Sequence, residues 1–135
     1  MRECGMLLPV ASLPSRYGIG AFSKEAYDFI DTLKAAGQSC WQILPLGPTG
    51  FGDSPYQSFS AFAGNPYFID LEKLTEEGLL TREECLDTDF GSDERDIDYK
   101  KIYDGRFPLL RKAYERWKEG RTPELVHELA GRKLG

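Results

Sequence analysis

The order strand, helix, strand within about 45 residues constrains the fold of this chain more than any other feature. Residues 5–8 (GMLL) form a short apolar run that a proline ends, and residues 39–46 (SCWQILPL) form a second, mostly apolar run. Between the runs, apolar residues recur at the spacing of one helix face: Ala26, Phe29, Ile30 and Leu33. This βαβ pattern predicts two parallel strands joined by a right-handed crossover.

The helix of this unit has recognisable ends, and the loops that follow the two strands share one edge of the predicted sheet. The pattern predicts Ser23 as the N-cap, and Gly37 lies just past the end, which predicts a helix of roughly 13 residues. The second strand is apolar enough to be buried on both faces. Because ligands of parallel α/β folds bind at the carboxyl ends of the strands, we expect a ligand site in the loops after residues 8 and 46.

Two segments after the second loop have a less regular pattern. The sequence predicts a short strand at residues 67–71, followed by a turn or a short helix. Residues 83–98 hold eight acidic residues and one arginine, which suggests either a calcium loop or a solvated acidic loop. If Gly91 stood at the invariant glycine of an EF-hand, Leu86 and Ile97 would occupy the first and last ligand positions. The solvated loop is therefore the better interpretation.

The last third of the sequence predicts helices. Thr81 and Glu84 have the spacing of a capping box, which predicts a helical turn that begins there. Aromatic and aliphatic residues return at helical spacing over residues 99–118, and Pro108 should kink this helix or begin a second one. Thr122, followed by proline and glutamate, indicates another helix start.

Composition excludes several classes of protein. With 17 basic and 22 acidic residues the net charge is −5, so a nucleic-acid partner is not expected. No apolar run reaches the length of a membrane span, and we expect a soluble, cytoplasmic protein that contacts no membrane. Cys4, Cys40 and Cys85 are widely spaced, and the sole histidine is His127. We therefore expect no metal site and three reduced cysteines packed as small hydrophobic residues.

The loop after the second strand carries the most chemistry. Aromatic and polar side chains alternate in it: Phe51, Asp53, Ser54, Tyr56, Gln57, Ser58, Phe59, Ser60, Phe62 and Asn65. Aromatic faces cover the C–H faces of sugar rings, while carboxylates and amides bind neighbouring hydroxyls. Alternatively, the phenylalanines pack beneath the loop and the polar residues cap turns. The position at the strand ends favours binding.

Other catalytic and cofactor motifs are incomplete in this sequence. GIGAFS does not complete the GxGxxG pattern, and GPTGFGDS lacks the final Gly-Lys of a phosphate-binding loop, so no nucleotide cofactor is expected. A retaining glycosidase needs two carboxylates about 5 Å apart, and only Asp53 stands at a strand end. The residues alone therefore predict a substrate wall without a catalytic pair.

Four stretches resemble the amino-terminal part of 4-α-glucanotransferase, also called amylomaltase or disproportionating enzyme: GMLLPVASLPSRYGIG, WQILPLGPTGFGDSPYQSFSAFAGNPYFIDLEKL, GLL and DIDYKKIYDGRFPLLRKAY. The resemblance covers roughly residues 2–117. It implies an α/β fold that is part of a (β/α)₈ TIM barrel. The first two βα units would occupy residues 1–72, and an incomplete, mainly helical insertion would occupy residues 73–135.

The resemblance also implies a function. The enzyme cuts an α-1,4-glucan and transfers the released segment to the 4-hydroxyl of another glucan or glucose, through a covalent glycosyl-enzyme with retention. Its partners are α-1,4-glucans and maltooligosaccharides. The nucleophilic aspartate, the acid/base glutamate and the stabilising aspartate are expected beyond residue 135. The isolated chain is therefore predicted to be inactive, and the alternatives are a non-catalytic glucan-binding module or scaffold alone.

Residue by residue, the resemblance assigns contacts with the sugar and no catalytic group. Tyr56 is expected to face the sugar ring at the cleavage point. Asp53, Ser54 and Gln57 would shape the donor subsites or hold the loop. Phe51, which replaces a tyrosine of some members, and Tyr103 would form a secondary glucan-contact surface.

Overall fold

The computed structural model describes residues 2–49, 54, 56, 58, 60, 62–93 and 95–120. Its strands and helices are, in chain order, β1 (Gly5–Leu7), α1 (Lys24–Ala35), β2 (Cys40–Gln42), α2 (Leu71–Glu76), α3 (Arg82–Leu86) and α4 (Tyr99–Glu119). Short 3₁₀ turns at Val10–Ser12 and Pro66–Phe68 follow β1 and precede α2. The helix start predicted at Thr122 lies outside the described residues.

The predicted βαβ unit is confirmed. Strands β1 and β2 pair in parallel with Gly5 opposite Cys40, and α1 lies between them in the chain. The pairing continues past the strand ends, since the amide of Leu8 donates to the carbonyl of Gln42 at 3.0 Å. The two strands therefore end at the same edge of the sheet, and the chain leaves each strand on that side.

Helix α1 forms where the apolar spacing predicts it. Ser23 holds the N-cap position, although its hydroxyl donates to Glu25 Oε2 at 2.7 Å and does not cap the helix. Gly37 follows the helix with φ of +76°, a conformation that favours glycine. Phe29 packs edge-on against Trp41 of β2, with ring centroids 5.0 Å apart. This contact joins the helix to the sheet.

The prediction that β2 is buried on both faces is wrong for the described structure. Trp41 is half-buried, whereas Cys40 and Gln42 on either side of it are exposed. Met6 and Leu7 of β1 are exposed as well. Helix α1 covers Trp41, and the described residues do not cover the other face of the two-stranded sheet. Apolar composition shows what a strand can bury, and neighbouring elements decide how much it does bury.

The larger core lies between α4, α2, α3 and the loop before α1. Its buried members are Tyr17, Ile19, Tyr67, Leu71, Leu80, Cys85, Phe90, Ile102, Leu109 and Ala113. A smaller cluster of Val10, Leu13 and Ala26 fills the space beneath α1. Residues of the loop between β1 and α1 contribute to both clusters, so this loop is packed from two sides.

The strand predicted at residues 67–71 is not formed. Asn65 caps the 3₁₀ turn Pro66–Phe68 by accepting the amide of Tyr67 at 2.9 Å. Five residues later Asp70 caps α2 by accepting the amide of Glu72 at 3.1 Å. Because each cap satisfies backbone donors locally, the segment turns twice although its aromatic and aliphatic residues favour a strand.

The two helices after α2 agree with the sequence in part. The capping box of Thr81 and Glu84 is confirmed at the start of α3, with hydrogen bonds of 3.0 and 3.2 Å. Helix α4 continues through Pro108 to Glu119, so the prediction that the proline begins a second helix is wrong. Pro108 is exposed and has no amide to donate to the helix. The packing of the buried face of α4 outweighs the loss of this one hydrogen bond.

The predicted burial of the cysteines is correct for one of the three. Cys85 is buried in the larger core, whereas Cys4 and Cys40 are exposed, and all three are free thiols. Both exposed thiols lie where the sheet begins, a position that the described residues do not cover. Among the described helices, none is long and apolar enough to cross a membrane.

Candidate functional site

A cavity of about 210 Å³ lies beyond the carboxyl ends of β1 and β2. Residues 9–12, which follow β1, form one side of it, and residues 44–47, which follow β2, form another. The rest of the wall consists of Ile19, Thr49, Asn65, Phe68, Ile97 and Tyr99. The cavity thus occupies the edge of the sheet at which the sequence predicts a ligand site.

Backbone hydrogen bonds hold the loops around this cavity. The amide of Gly20 donates to Ala11 O at 3.0 Å, and the amide of Asn65 donates to Leu46 O at 2.8 Å. A Cβ atom at position 20 would collide with the carbonyl oxygen of Val10, so only glycine permits this approach. The walls are therefore fixed by main-chain contacts within each of the two loops, the one between β1 and α1 and the one after β2.

The serines of the loop after β2 form turns. Ser58 Oγ donates to Ser60 O at 2.7 Å, and Ser60 Oγ accepts the amides of Phe62 and Ala63 at 3.3 and 3.2 Å. A Cβ atom on Gly47 would lie 2.6 Å from Ser58 Oγ, which shows that this turn presses against the cavity wall. For these two serines the structure supports the alternative that the polar residues cap turns.

Tyr56 and Ser54 occupy the same loop. The amide of Tyr56 donates to Ser54 Oγ at 3.3 Å, and the tyrosine side chain is 72% exposed. Phe62 is almost fully exposed, so the alternative that the phenylalanines pack beneath the loop is wrong for this one. The other predicted residues of this loop lie outside the described residues: Phe51, Asp53, Gln57 and Phe59.

Tyr103 lies on α4 with 59% of its surface exposed. The centroid of its ring is 4.9 Å from that of the Phe107 ring. The Phe107 centroid is in turn 5.8 Å from that of the buried Tyr67. Tyr67 also contacts Tyr99, a member of the cavity wall, at 6.4 Å. The aromatic residues thus connect the exposed Tyr103 to the cavity, whereas none of the described ring contacts joins it to Tyr56.

Sequence analysis did not identify Arg106, which is 1% exposed in the middle of α4. Its Nη1 donates to Tyr17 O at 3.5 Å, its Nη2 donates to Ile69 O, and its Nε has no hydrogen-bond partner among the described residues. Burial lowers the pKa of Arg106 to about 10, while the nearby Asp70 acts to raise it. The guanidinium therefore remains charged at neutral pH.

A signal for Arg106 is present in the sequence. It stands four residues after Ile102, three before Leu109 and seven before Ala113, which places it on the buried face of the helix. A second polar contact, partly buried, lies nearby, where the hydroxyl of Tyr17 donates to Glu72 Oε1. Burial, aided by that carboxylate, raises the pKa of Tyr17.

The described part of the cavity has groups that can orient a ligand but no carboxylate or imidazole for acid–base catalysis. None of its described lining residues carries a carboxylate or an imidazole. Among the described residues, no group of three or more histidines, cysteines or acids is arranged to hold a metal ion. Apolar walls with backbone groups and a few hydroxyls suit a neutral, polar-edged ligand.

Comparison with known proteins decides the family. A family model described as 4-alpha-glucanotransferase matches residues 8–130. The chain belongs to the 4-alpha-glucanotransferase family. It is 57% identical over 118 residues to the 4-alpha-glucanotransferase of Streptococcus pneumoniae serotype 4, and 50% identical over 123 residues to that of Thermus thermophilus. These alignments cover 87% and 91% of this chain.

The fold agrees with a solved member of the family. Amylomaltase from Streptococcus agalactiae, in complex with acarbose, superimposes with a TM-score of 0.88 at 42% sequence identity over 96% of this chain. The chain spans only 26% of that structure, and 23% and 24% of the two relatives from S. pneumoniae and T. thermophilus. It therefore corresponds to about a quarter of these enzymes.

Proposed function

We propose that this chain forms part of the substrate cleft of a 4-α-glucanotransferase. That enzyme cuts an α-1,4-glucan and passes the released segment to the 4-hydroxyl of another glucan or glucose. One observation carries the proposal: the family match over residues 8–130 includes both sides of a cavity at the carboxyl ends of β1 and β2. Ligands of parallel α/β folds bind at this edge.

We propose further that β1 and β2 are the first two strands of a (β/α)₈ barrel. Their parallel pairing and the similarity to amylomaltase support this arrangement. The exposed Met6, Leu7 and Ile43 also support it, because an apolar sheet surface of this kind is normally covered by further elements. Residues 1–72 would carry the strands with their loops, and residues 73–135 the mainly helical insertion.

The proposed role of Tyr56 is to face the sugar ring at the cleavage point. In the retaining reaction this ring becomes flattened and positively charged, and the negative face of an aromatic ring favours that state. The exposed tyrosine is available for this contact, while Ser54 holds the turn beneath it. Asp53 and Gln57 would bind hydroxyls in the donor subsites.

A secondary contact surface is proposed around Phe51 and Tyr103. Tyr103 is exposed and its ring packs against Phe107, so it offers one open aromatic face to a sugar. Acarbose in the amylomaltase structure supports maltooligosaccharides as ligands of this chain's family members, and hence of this chain. A cytoplasmic location stays a prediction.

The catalytic carboxylates are proposed to lie outside this chain, because the described cavity lining contains none. Retaining transfer requires a nucleophile and an acid/base group on opposite sides of the scissile bond. The isolated chain should therefore catalyse nothing. The same observation favours the second candidate, a glucan-binding module without catalysis.

A chimera tests the proposal. Residues 8–130 would replace the matching segment of the S. pneumoniae enzyme, and the product would be incubated with maltotriose. We expect glucose and longer oligosaccharides to form, as with the parent enzyme. A folded chimera that binds maltoheptaose without transferring it would favour the binding module. Transfer by the isolated chain would contradict the predicted absence of catalysis.

A further inference from the structure

Arg106 joins two loops that are far apart in sequence. Its guanidinium donates to a carbonyl in the loop between β1 and α1, at Tyr17, and to another before α2, at Ile69. These acceptors are 89 and 37 positions away from the arginine. A side chain that is 1% exposed and donates to two main-chain carbonyls contributes to the position of the backbone.

Both acceptors lie directly beside the walls of the cavity. Ile19 is two residues after Tyr17, Phe68 immediately precedes Ile69, and both line the cavity at the strand ends. Tyr99 lines it as well and stands seven residues before Arg106 on the same face of α4. Helix α4 thus supplies one wall itself and holds two others through its arginine.

We propose that Arg106 is a positioning residue of the substrate cleft, which sets the separation of the walls at Ile19 and Phe68 by bridging the carbonyls of Tyr17 and Ile69. The proposal rests on the function proposed above for the cavity. It assigns no contact with substrate to the arginine, which acts through the two loops.

The chemistry of arginine suits this task better than that of other residues. Its planar, rigid fork donates in several fixed directions, so one side chain can bond two carbonyls at once. Lysine places a single ammonium at the end of a flexible stem and would reach one carbonyl at most in the same geometry. An apolar residue of similar length would leave both carbonyls without this partner, and unpaired buried acceptors favour a rearranged loop.

Other residues supply stability at this place through apolar burial, and their side chains have no donor for the carbonyls. Leu109 and Ile102 are buried on the same face of α4 and belong to the larger core. A buried charge is weak evidence for stability, because its desolvation opposes the contacts that it makes. The specific consequence of Arg106 is therefore the geometry of the two loops.

The test uses the transfer-competent chimera. Arg106→Met and Arg106→Lys are compared with Leu109→Ala, which disturbs the same helix face and leaves the carbonyl bonds in place. We expect Arg106→Met to raise KM for maltotriose by about fivefold or more with kcat within about twofold, since displaced walls weaken ground and transition states alike. Arg106→Lys should give an intermediate KM.

Hydrogen exchange provides a readout that a purely structural role would not move. The thermal unfolding midpoints of the two variants are compared first, so that any difference in overall stability is accounted for. Peptides covering residues 17–22 and 66–70 should then exchange hydrogen faster in Arg106→Met than in Leu109→Ala. Equal exchange in the two variants, or an equal rise in KM, would overturn the proposal. If Arg106→Met does not fold, Arg106→Lys carries the same comparison. If the unsubstituted chimera fails to transfer, the proposed function fails, whereas the exchange comparison still decides the role of Arg106.

Discussion

Replacing Gly18 by alanine tests how tightly the loop between β1 and α1 is packed. Gly18 has φ of +80°, and a Cβ atom there would lie 2.7 Å from Ile102 Cδ1, 2.8 Å from Phe90 Cβ and closer still to the carbonyl oxygen of Phe90. The left-handed conformation costs about 1–2 kcal/mol for alanine. Overpacking adds about 1–3 kcal/mol, because a backbone carbonyl cannot turn away as a flexible side chain can.

The chain offers a matched control for this substitution. Gly37 has nearly the same φ, +76°, and a Cβ atom there would meet nothing within 4 Å. Gly37→Ala should therefore lower the free energy of unfolding only by the cost of the left-handed conformation, about 1–2 kcal/mol. We expect Gly18→Ala to lower the free energy of unfolding by about 1–3 kcal/mol more than Gly37→Ala does. The difference isolates the contact of the loop with Phe90 and Ile102.

Equilibrium unfolding in urea, followed by tryptophan fluorescence, measures both free energies of unfolding. Unchanged m-values would show that the two variants expose the same surface on unfolding and can be compared. Equal losses of unfolding free energy for Gly18→Ala and Gly37→Ala would refute the close contact of this loop with Phe90 and Ile102. The result also bears on the site, because Ile19, the next residue, lines the cavity.

Two further predictions concern the exposed Tyr56 and the hydrogen-bonded carboxylate of Glu84 on α3. In the chimera, Tyr56→Ala should leave stability within about 0.5 kcal/mol, because the side chain is mostly exposed. It should lower kcat about 2- to 10-fold through loss of the ring face, whereas Tyr56→Phe should transfer nearly as well; unchanged transfer by the alanine variant would favour a scaffold role. Hydrogen bonds from Arg116, from the Thr81 amide and from Lys112 hold the pKa of Glu84 well below its usual range. A carboxyl whose pKa is lower in the folded state stabilises above its unfolded pKa of about 4.3 and loses that effect as pH falls below it. The gap in urea midpoint between the parent chain and Glu84→Gln should therefore be constant from pH 5 to 8 and shrink below about pH 4; a gap that persists in acid would contradict this role.

The elements that local patterns determine could be predicted from the sequence. Helix α1 follows from its apolar spacing and from Gly37, whose positive φ ends it. The capping box at Thr81 depends on two residues three positions apart, so it can be predicted without knowledge of the tertiary structure. The parallel strands followed from their order around α1, and the cavity lies at the edge that this order predicts.

Features that depend on distant partners could not be predicted in the same way. Residues 67–71 have the composition of a strand, but the caps supplied by Asn65 and Asp70 turn the chain. A charged residue in a helix is usually exposed, and Arg106 is buried because two remote carbonyls accept its donors. The exposure of Cys40 depends on which elements lie over the sheet.

The bridge at Arg106 also determines when the cavity is completed as the protein is made. The pairing of β1 with β2 places Gly5 opposite Cys40, 35 positions later, whereas Arg106 and Tyr17 are 89 positions apart. The longer closure costs only about 0.8 kcal/mol more in chain entropy, so entropy alone hardly separates the two events. Synthesis does separate them, because β2 leaves the ribosome more than 50 residues before α4. In the growing chain the βαβ unit can therefore form early, while the walls at the strand ends take their final positions only after residue 106 has emerged.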